Sequence, residues 1–266
     1  SPRMNPSAPA LADGDRPARD FSDYILALDL PEAPPQLEAA EGVSIEYGSA
    51  REAVAVGAQI AEFSAQVSPQ VREAVADSML LAQLAATKAT AGQTDPLAWH
   101  QKYVDTLKAV GWLVQSLEFT EQSVNDRNLG MHNAIIPVLT GMLGPAVAAA
   151  SVVVSVLKGL QEMDKDNPWI TLFDRASQHA SGAKFQLSFV DADEQGNPRI
   201  QLMALTIDAQ RSVTQVLFFK FSDQSARLRK AETALSASLT RLQSIQAAVS
   251  SKVQPFLLDN ISKIEI

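Results

Sequence analysis

The side chains that could do chemistry are few and scattered. The chain has three histidines, His100, His132 and His179, and no cysteine. No carboxylate or second histidine stands at ligand spacing from any of them, so the pattern predicts packed or surface imidazoles, not a general base or a metal ligand. Without cysteine there is no disulfide, thiolate metal site or cysteine nucleophile. The serine-hydrolase elbow, the zinc-protease helix, the Walker loop and the dinucleotide glycine fingerprint are all absent. The loop Asp191-Ala-Asp193-Glu-Gln195-Gly196 has acids or amides at positions one, three and five and glycine at six, as a calcium loop does. Position twelve is Leu202, where a bidentate glutamate is needed. Its flanks read as strands, so it reads as a hairpin loop. The acidic cluster Glu162 to Asp166 precedes Asn167-Pro168 and reads as the capped start of a helix. The expectation is a protein that is not an enzyme, with no cofactor and no metal.

What the sequence concentrates is apolarity. Asn128 to Leu157 is a run of thirty residues without a charged side chain, closed by Arg127 and Lys158. A run longer than about 18 residues is long enough to be weighed as a membrane span. The whole chain is 46% apolar and 20% charged, an ordinary composition for a globular protein. The run therefore has two readings. It is a central helix, apolar all round because it is buried all round, or it is an element shielded in a soluble form and given to a membrane on a trigger. Gly144 and Pro145 are its hinge candidates, dividing a short arm, 134–143, from a longer helix, 146–160. The insertion unit would run from Ala134 to Leu160. Its membrane-insertion candidates are Ile135, Ile136, Val138, Leu139, Met142, Leu143, Val147, Val152, Val153, Val154, Val156 and Leu157.

These residues need elements to hold them. The net charge is −8, and most of it sits in residues 1–50, where nine acids face three arginines. Half of the fourteen prolines fall in the first 35 residues. Residues 1–48 thus read as an acidic, proline-rich, mostly irregular arm, with Phe21 to Leu30 able to dock as a short helix. A nearly neutral body argues against nucleic acid as a partner. Residues 49–266 read as a single helical domain. Ser68-Pro69, Asp95-Pro96 and Asn167-Pro168 each pair a capping residue with proline at the first helical position. Helices are predicted near 50–67, 69–91, 96–127, 168–181 and 223–253. Phe185, Leu187 and Phe189 alternate with polar residues, and Ile200 to Ile207 and Val213 to Phe221 follow, which predicts a three-stranded antiparallel meander at about 184–221. Leu228, Leu235, Leu242 and Val249 repeat every seven residues, a coiled-coil-like face for a protein partner or a second copy. The fold class expected is α+β and predominantly α-helical: amphipathic helices around a central apolar helix or hairpin, with a small meander.

The order of long amphipathic helix, apolar hairpin-like segment, β-meander and long amphipathic helix resembles the α-helical pore-forming toxins of the cytolysin A and haemolysin BL type. That resemblance implies a bacterial, leaderless toxin or virulence factor whose shielded segment enters a lipid membrane. Ser1 to Asp15 has no apolar signal-like core, so a soluble form is expected, secreted without a leader or cytoplasmic, and then membrane-associated. The alternative is a non-enzymatic binding or assembly protein whose apolar segment never leaves the core.

Overall fold

The structure, a computed structural model, describes residues 18–35, 44–116, 118–124, 128–180, 182–210, 213–221 and 226–265. Most of the acidic arm lies outside them. In chain order the elements are α1 (Ala18–Leu26), β1 (Glu52–Val56), β2 (Gln59–Phe63), α2 (Pro69–Ala89), α3 (Pro96–Ala109), β3 (Leu113–Ser116) and β4 (Thr120–Gln122). The apolar segment follows as α4 (Met131–Leu143), α5 (Pro145–Ala150) and α6 (Val152–Lys158). Then come α7 (Pro168–Ser177), β5 (Gln178–His179), β6 (Gly182–Ala192), β7 (Pro198–Asp208), β8 (Arg227–Ser236), α8 (Leu239–Val253), α9 (Leu257–Asn260) and β9 (Ile261–Ile264).

Among the described residues the strands form one nine-stranded sheet whose main path runs β3-β8-β7-β6-β2-β1-β9. β4 adds to β8 and β5 to β6. All neighbours are antiparallel except β2 and β6, which run parallel. Helices α1, α2, α3 and α8 pack on one face around Met79, Leu80, Tyr103, Leu107 and Ile245. Helices α4, α6 and α7 pack on the other around Ile135, Val153, Trp169 and Phe173. The architecture is a helix–sheet–helix sandwich, α/β in class. It is neither a helical bundle nor a three-stranded meander.

The departures from the sequence reading have physical causes. The predicted helix at 50–67 is the β1–β2 hairpin. Both strands are covered by helices, so β2 is buried at every position, and the alternation that marks a strand is erased. Gly57 turns the hairpin at φ 55°, a conformation that favours glycine. The Gln83 side chain holds the turn, accepting from Ala58 N–H at 2.8 Å and donating to Val56 O at 2.7 Å. The predicted 96–127 helix ends at Ala109, and β3 and β4 follow. The third meander strand is β8, not Val213 to Phe221. Of the predicted 223–253 helix, 223–225 lie outside the described residues and the rest is β8 followed by α8. The heptad is therefore split: Leu228 and Leu235 lie on opposite faces of a strand, Leu242 and Val249 lie on a helix, and all four are buried. No coiled-coil face is offered to a partner there.

Other signals hold. The three proline-started helices begin at Pro69, Pro96 and Pro168, and Ser68, Asp95 and Asn167 cap them through their side chains. The chain breaks at Gly144-Pro145. α1 docks on α8, with Phe21 under Arg241 and Lys252 donating to Leu28 O at 2.7 Å.

Candidate membrane-contact site

The uncharged segment is not a central helix wrapped by others. It is a single-layer cover laid over one face of the sheet. Along α4 the buried positions Met131, Ala134, Ile135 and Leu139 recur at helical spacing. On α6, Val153, Val154, Val156 and Leu157 are buried. Beneath them lie Phe185, Leu187, Met203, Leu205 and Ile207 of β6 and β7. Of the twelve insertion candidates, Ile135, Leu139, Val153, Val154, Val156 and Leu157 thus belong to the core. Ile136, Val138, Met142, Leu143 and Val152 are half-buried, and Val147 is 46% exposed.

The outer side of this cover has no charge to match its exposure. Ordinary surface helices turn charged residues outward. Here Pro137, Gly141, Pro145, Ala146, Val147, Ala149 and Ala150 face out. In α5 only Ala148 is buried. Helix propensity and packing both leave α5 as a small-residue tip, joined to α4 through Gly144 at φ 84° and ψ 156°. That conformation belongs to glycine, and it turns the chain sharply before Pro145 starts α5.

The cover is fastened at the start of α4 and at the start of α6, with α5 between them. At the α4 end, Met131 N–H donates to Phe219 O at 2.7 Å, and Phe221 N–H donates to Leu129 O at 3.1 Å. His132 Nδ1 donates to Leu217 O at 3.0 Å. The 213–221 segment is itself held by Asp174, which accepts from Val216 N–H at 3.0 Å, and by Lys165 over the Phe218 ring. Burial pushes the Asp174 carboxyl up to about 6, partly offset by its backbone hydrogen bonds.

At the start of α6 the fastener is Glu62 of β2. Its Oε1 accepts from Val153 N–H at 2.7 Å and from Ser151 Oγ at 3.0 Å. Its Oε2 meets Arg51 at 2.9 Å. Glu62 is 1% exposed. A buried carboxylate at a helix start is held by the N–H groups that the helix leaves unpaired. Removing any partner here leaves buried charge or unpaired donors behind.

Asp193 accepts from Gln195 N–H, Asn197 N–H and Asn197 Nδ2, which closes the β6–β7 hairpin. His100 is on the buried side of α3 with Nε2 on Leu205 O at 3.3 Å, and burial pushes it down to about 3. His132 lies in the α4 clamp, and His179 is on β5. Among the described residues, no group of three histidine, aspartate or glutamate side chains could hold a metal ion. Also among them, no helix is long and apolar enough to cross a membrane.

An α/β sandwich with an uncharged helical cover is the class that this geometry defines. No family model matches the chain, and no curated protein does. Solved structures similar to the chain include the following two. One is a delta-endotoxin, 16% identical, over 78% of this chain and 91% of that one, with a TM-score of 0.37. The other is the activated Cyt2Ba monomer of Bacillus thuringiensis subsp. israelensis, 18% identical, over 67% of this chain and 97% of that one, with a TM-score of 0.31. Likeness at this level identifies no family. The resemblance to the cytolysin A and haemolysin BL type is overturned, since the chain is built on a mixed nine-stranded sheet.

Proposed function

We propose that this is a membrane-active, non-catalytic protein whose lipid-contacting element is the α4–α5–α6 cover. The observation that supports this most is the outward side of α4 and α5: it is exposed, and it carries no charge over the whole thirty-residue run. A water-facing helix surface without charge costs the folded protein solubility and gains it nothing unless something apolar meets it.

Thirteen residues of α4 measure about 20 Å, against about 30 Å of hydrocarbon in a bilayer. The cover therefore lies in the interface instead of spanning it. Contact begins at the α5 tip, where Val147 and the flanking Leu143 and Met142 meet lipid. Each square ångström of apolar area taken from water contributes about 25 cal/mol. Lipid thus favours any state in which the cover turns outward, and Glu62 and the 213–221 clamp oppose it. Perforation of the membrane, as by a bacterial toxin, is the fullest consequence of that shift.

The test is flotation with dye-loaded liposomes of neutral and of anionic composition. Co-flotation with leakage supports the full reading, and co-flotation alone supports interfacial binding. Absence of both from every composition sinks the proposal. A protein-assembly role for the same surface would then take its place.

A further inference from the structure

Helix α3 does not close fully on the sheet. Where the small residues Ala204 of β7 and Ala231 of β8 stand beneath it, a cavity of about 540 Å³ opens between helix and strands. Ala204 and Ala231 are partners across the ladder, and Gln186 of β6 continues their row. Leu97 and Val104 of α3 and Leu202 of β7 give the cavity apolar walls. The Phe119 ring adds another beside His100, with 5.3 Å between ring centres. Gln101 and Glu118 stand exposed at its mouth. Cavities of this size hold small molecules.

The closed end is polar, and its polar atoms lack partners. Gln186 is 1% exposed and His100 is 3% exposed. Gln186 Nε2 has no hydrogen-bond partner. His100 Nε2 donates to Leu205 O at 3.3 Å, and its Nδ1 has no partner. The terminal torsion of an amide is two-fold, so either end of the Gln186 amide turns to the cavity at little cost.

Behind Gln186 the same face carries a second row in register, Lys184, Thr206 and Arg229. It lies about 7 Å further along the strands. The Lys184 ammonium donates to Ala176 O and sits 4.6 Å from the Trp99 ring centre. No carboxylate pairs with it among the described residues, and burial pushes it down to about 8. Thr206 Oγ1 and Arg229 Nε are buried without partners, although another Arg229 nitrogen reaches Asp208 at 2.8 Å.

Buried polar groups ordinarily have partners. What this end lacks is mainly acceptors, because the amide, guanidinium and ammonium groups all have N–H to give. Water brings as many donors as acceptors and finds few partners between apolar walls. A carboxyl group serves better. One oxygen accepts from Gln186, and the other shares a single proton with His100 Nδ1. The unpaired ammonium behind Gln186 favours the negative charge. The apolar walls fit an alkyl chain.

We propose that the cavity under α3 binds a fatty acid, its chain along Leu97, Val104 and Phe119 and its carboxyl group between Gln186 and His100. The site lies on the opposite face of the sheet from the cover, and it stands whether or not the cover meets lipid. Binding carries a proton signature. Lys184, His179 and Arg229 face His100 and, with burial, keep it neutral in the empty site, while Asp208 is engaged by Arg227 and Arg229. A carboxylate arriving at Nδ1 therefore draws one proton from solvent into their shared hydrogen bond.

The test is calorimetric titration of the full chain with decanoate, below its micelle concentration and without vesicles, in buffers of different ionisation heat. Decanoate binds at one site with proton uptake. Decanol, which has the same chain, binds about tenfold or more weakly, the difference of a charge-assisted hydrogen bond. Gln186→Leu weakens decanoate binding about tenfold while the melting temperature holds or rises, because an unpartnered buried amide is removed. Lys184→Met does the same by removing an unpaired buried charge. The proposal is overturned if decanoate fails to bind, if decanol binds as tightly, or if no proton is taken up. It is equally overturned if both variants fold and bind decanoate as the parent does.

Discussion

The backbone N–H of Val153 donates to Glu62 Oε1 at 2.7 Å, tying the first turn of α6 to a strand in the middle of the sheet. The same carboxylate holds Ser151 and Arg51. One buried side chain thus fixes the N-terminal end of α6 in a cover that has no other ionic attachment among the described residues.

Glu62→Gln keeps an acceptor for Val153 but removes the charge and the pairing with Arg51. Stability should fall by about 1–3 kcal/mol in urea unfolding, and liposome leakage should become faster at equal lipid. Glu62→Ala should lose more stability, because it leaves two buried donors unpaired. Reduced stability without faster leakage would mean that Glu62 supports the fold but does not restrain the cover.

Gly144 gives a cleaner probe of the hinge. A Cβ added there meets no atom within 4 Å, yet the residue sits at φ 84° and ψ 156°. Any cost of Gly144→Ala is therefore a backbone cost, about 1–3 kcal/mol. Urea unfolding should show that loss. Equal stability of the two proteins would show that the α4–α5 turn adopts another conformation in solution.

The pH dependence has a definite sign. Burial pushes Asp77 up to about 7 and Asp174 up to about 6, from an ordinary carboxylate value of 3.8. Folding therefore favours their protonated forms. Their contribution is most favourable below the unfolded value and is lost as pH rises through the folded values. Melting temperature should decline between about pH 4 and 7 on account of these two groups. Asp77→Asn, which can retain the Gln246 contact, should flatten the Asp77 share of that decline. An unchanged slope in the variant would show that Asp77 is ionised in the fold well below neutrality. The sign also matters for any trigger: mild acid relieves these two sites and does not loosen the clamp that Asp174 supports.

Much of the frame was legible because local chemistry decided it. Ser68, Asp95 and Asn167 each stand before a proline, and a cap with a fixed φ needs no tertiary help. Gly144-Pro145 marked the break in the apolar run for the same reason. β7 showed period two where one face is open, as at Gln201, and β6 showed it because buried polar Gln186 and Ser188 alternate with Phe185, Leu187 and Phe189. The hairpin β1–β2 was hidden because burial on both faces erased the alternation: Ala53 to Val56 are all apolar, and Gln59 and Glu62 are buried polar residues three apart. β8 was hidden because Arg227 to Ser236 is rich in good helix formers, and pairing with β7 and β3 overrides that propensity. Glu62 carried no signal in one dimension. Its partners lie at Arg51, eleven residues away, and at Ser151 and Val153, about ninety residues away, so only the folded sheet makes it a fastener. The thirty-residue run was visible as apolar, but its division into a buried and an exposed side followed from having a sheet beneath it.

That division allows the membrane reading to be tested without confusing it with folding. Val147 and Val153 lie six residues apart in the same uncharged run, one 46% exposed on α5 and the other 2% exposed against the sheet. Aspartate at the buried position must desolvate a charge in an apolar layer, so Val153→Asp should cost several kcal/mol and abolish cooperative unfolding or expression. Aspartate at the exposed position meets water in the free protein, so Val147→Asp should stay within about 0.5 kcal/mol of the parent. At a lipid surface the same aspartate replaces a favourable transfer by an unfavourable one. Co-flotation with neutral liposomes should then weaken about tenfold or more, since burying one valine side chain is worth about 1.5 kcal/mol. Full stability with parental flotation in Val147→Asp would exclude the α5 tip as the point of contact.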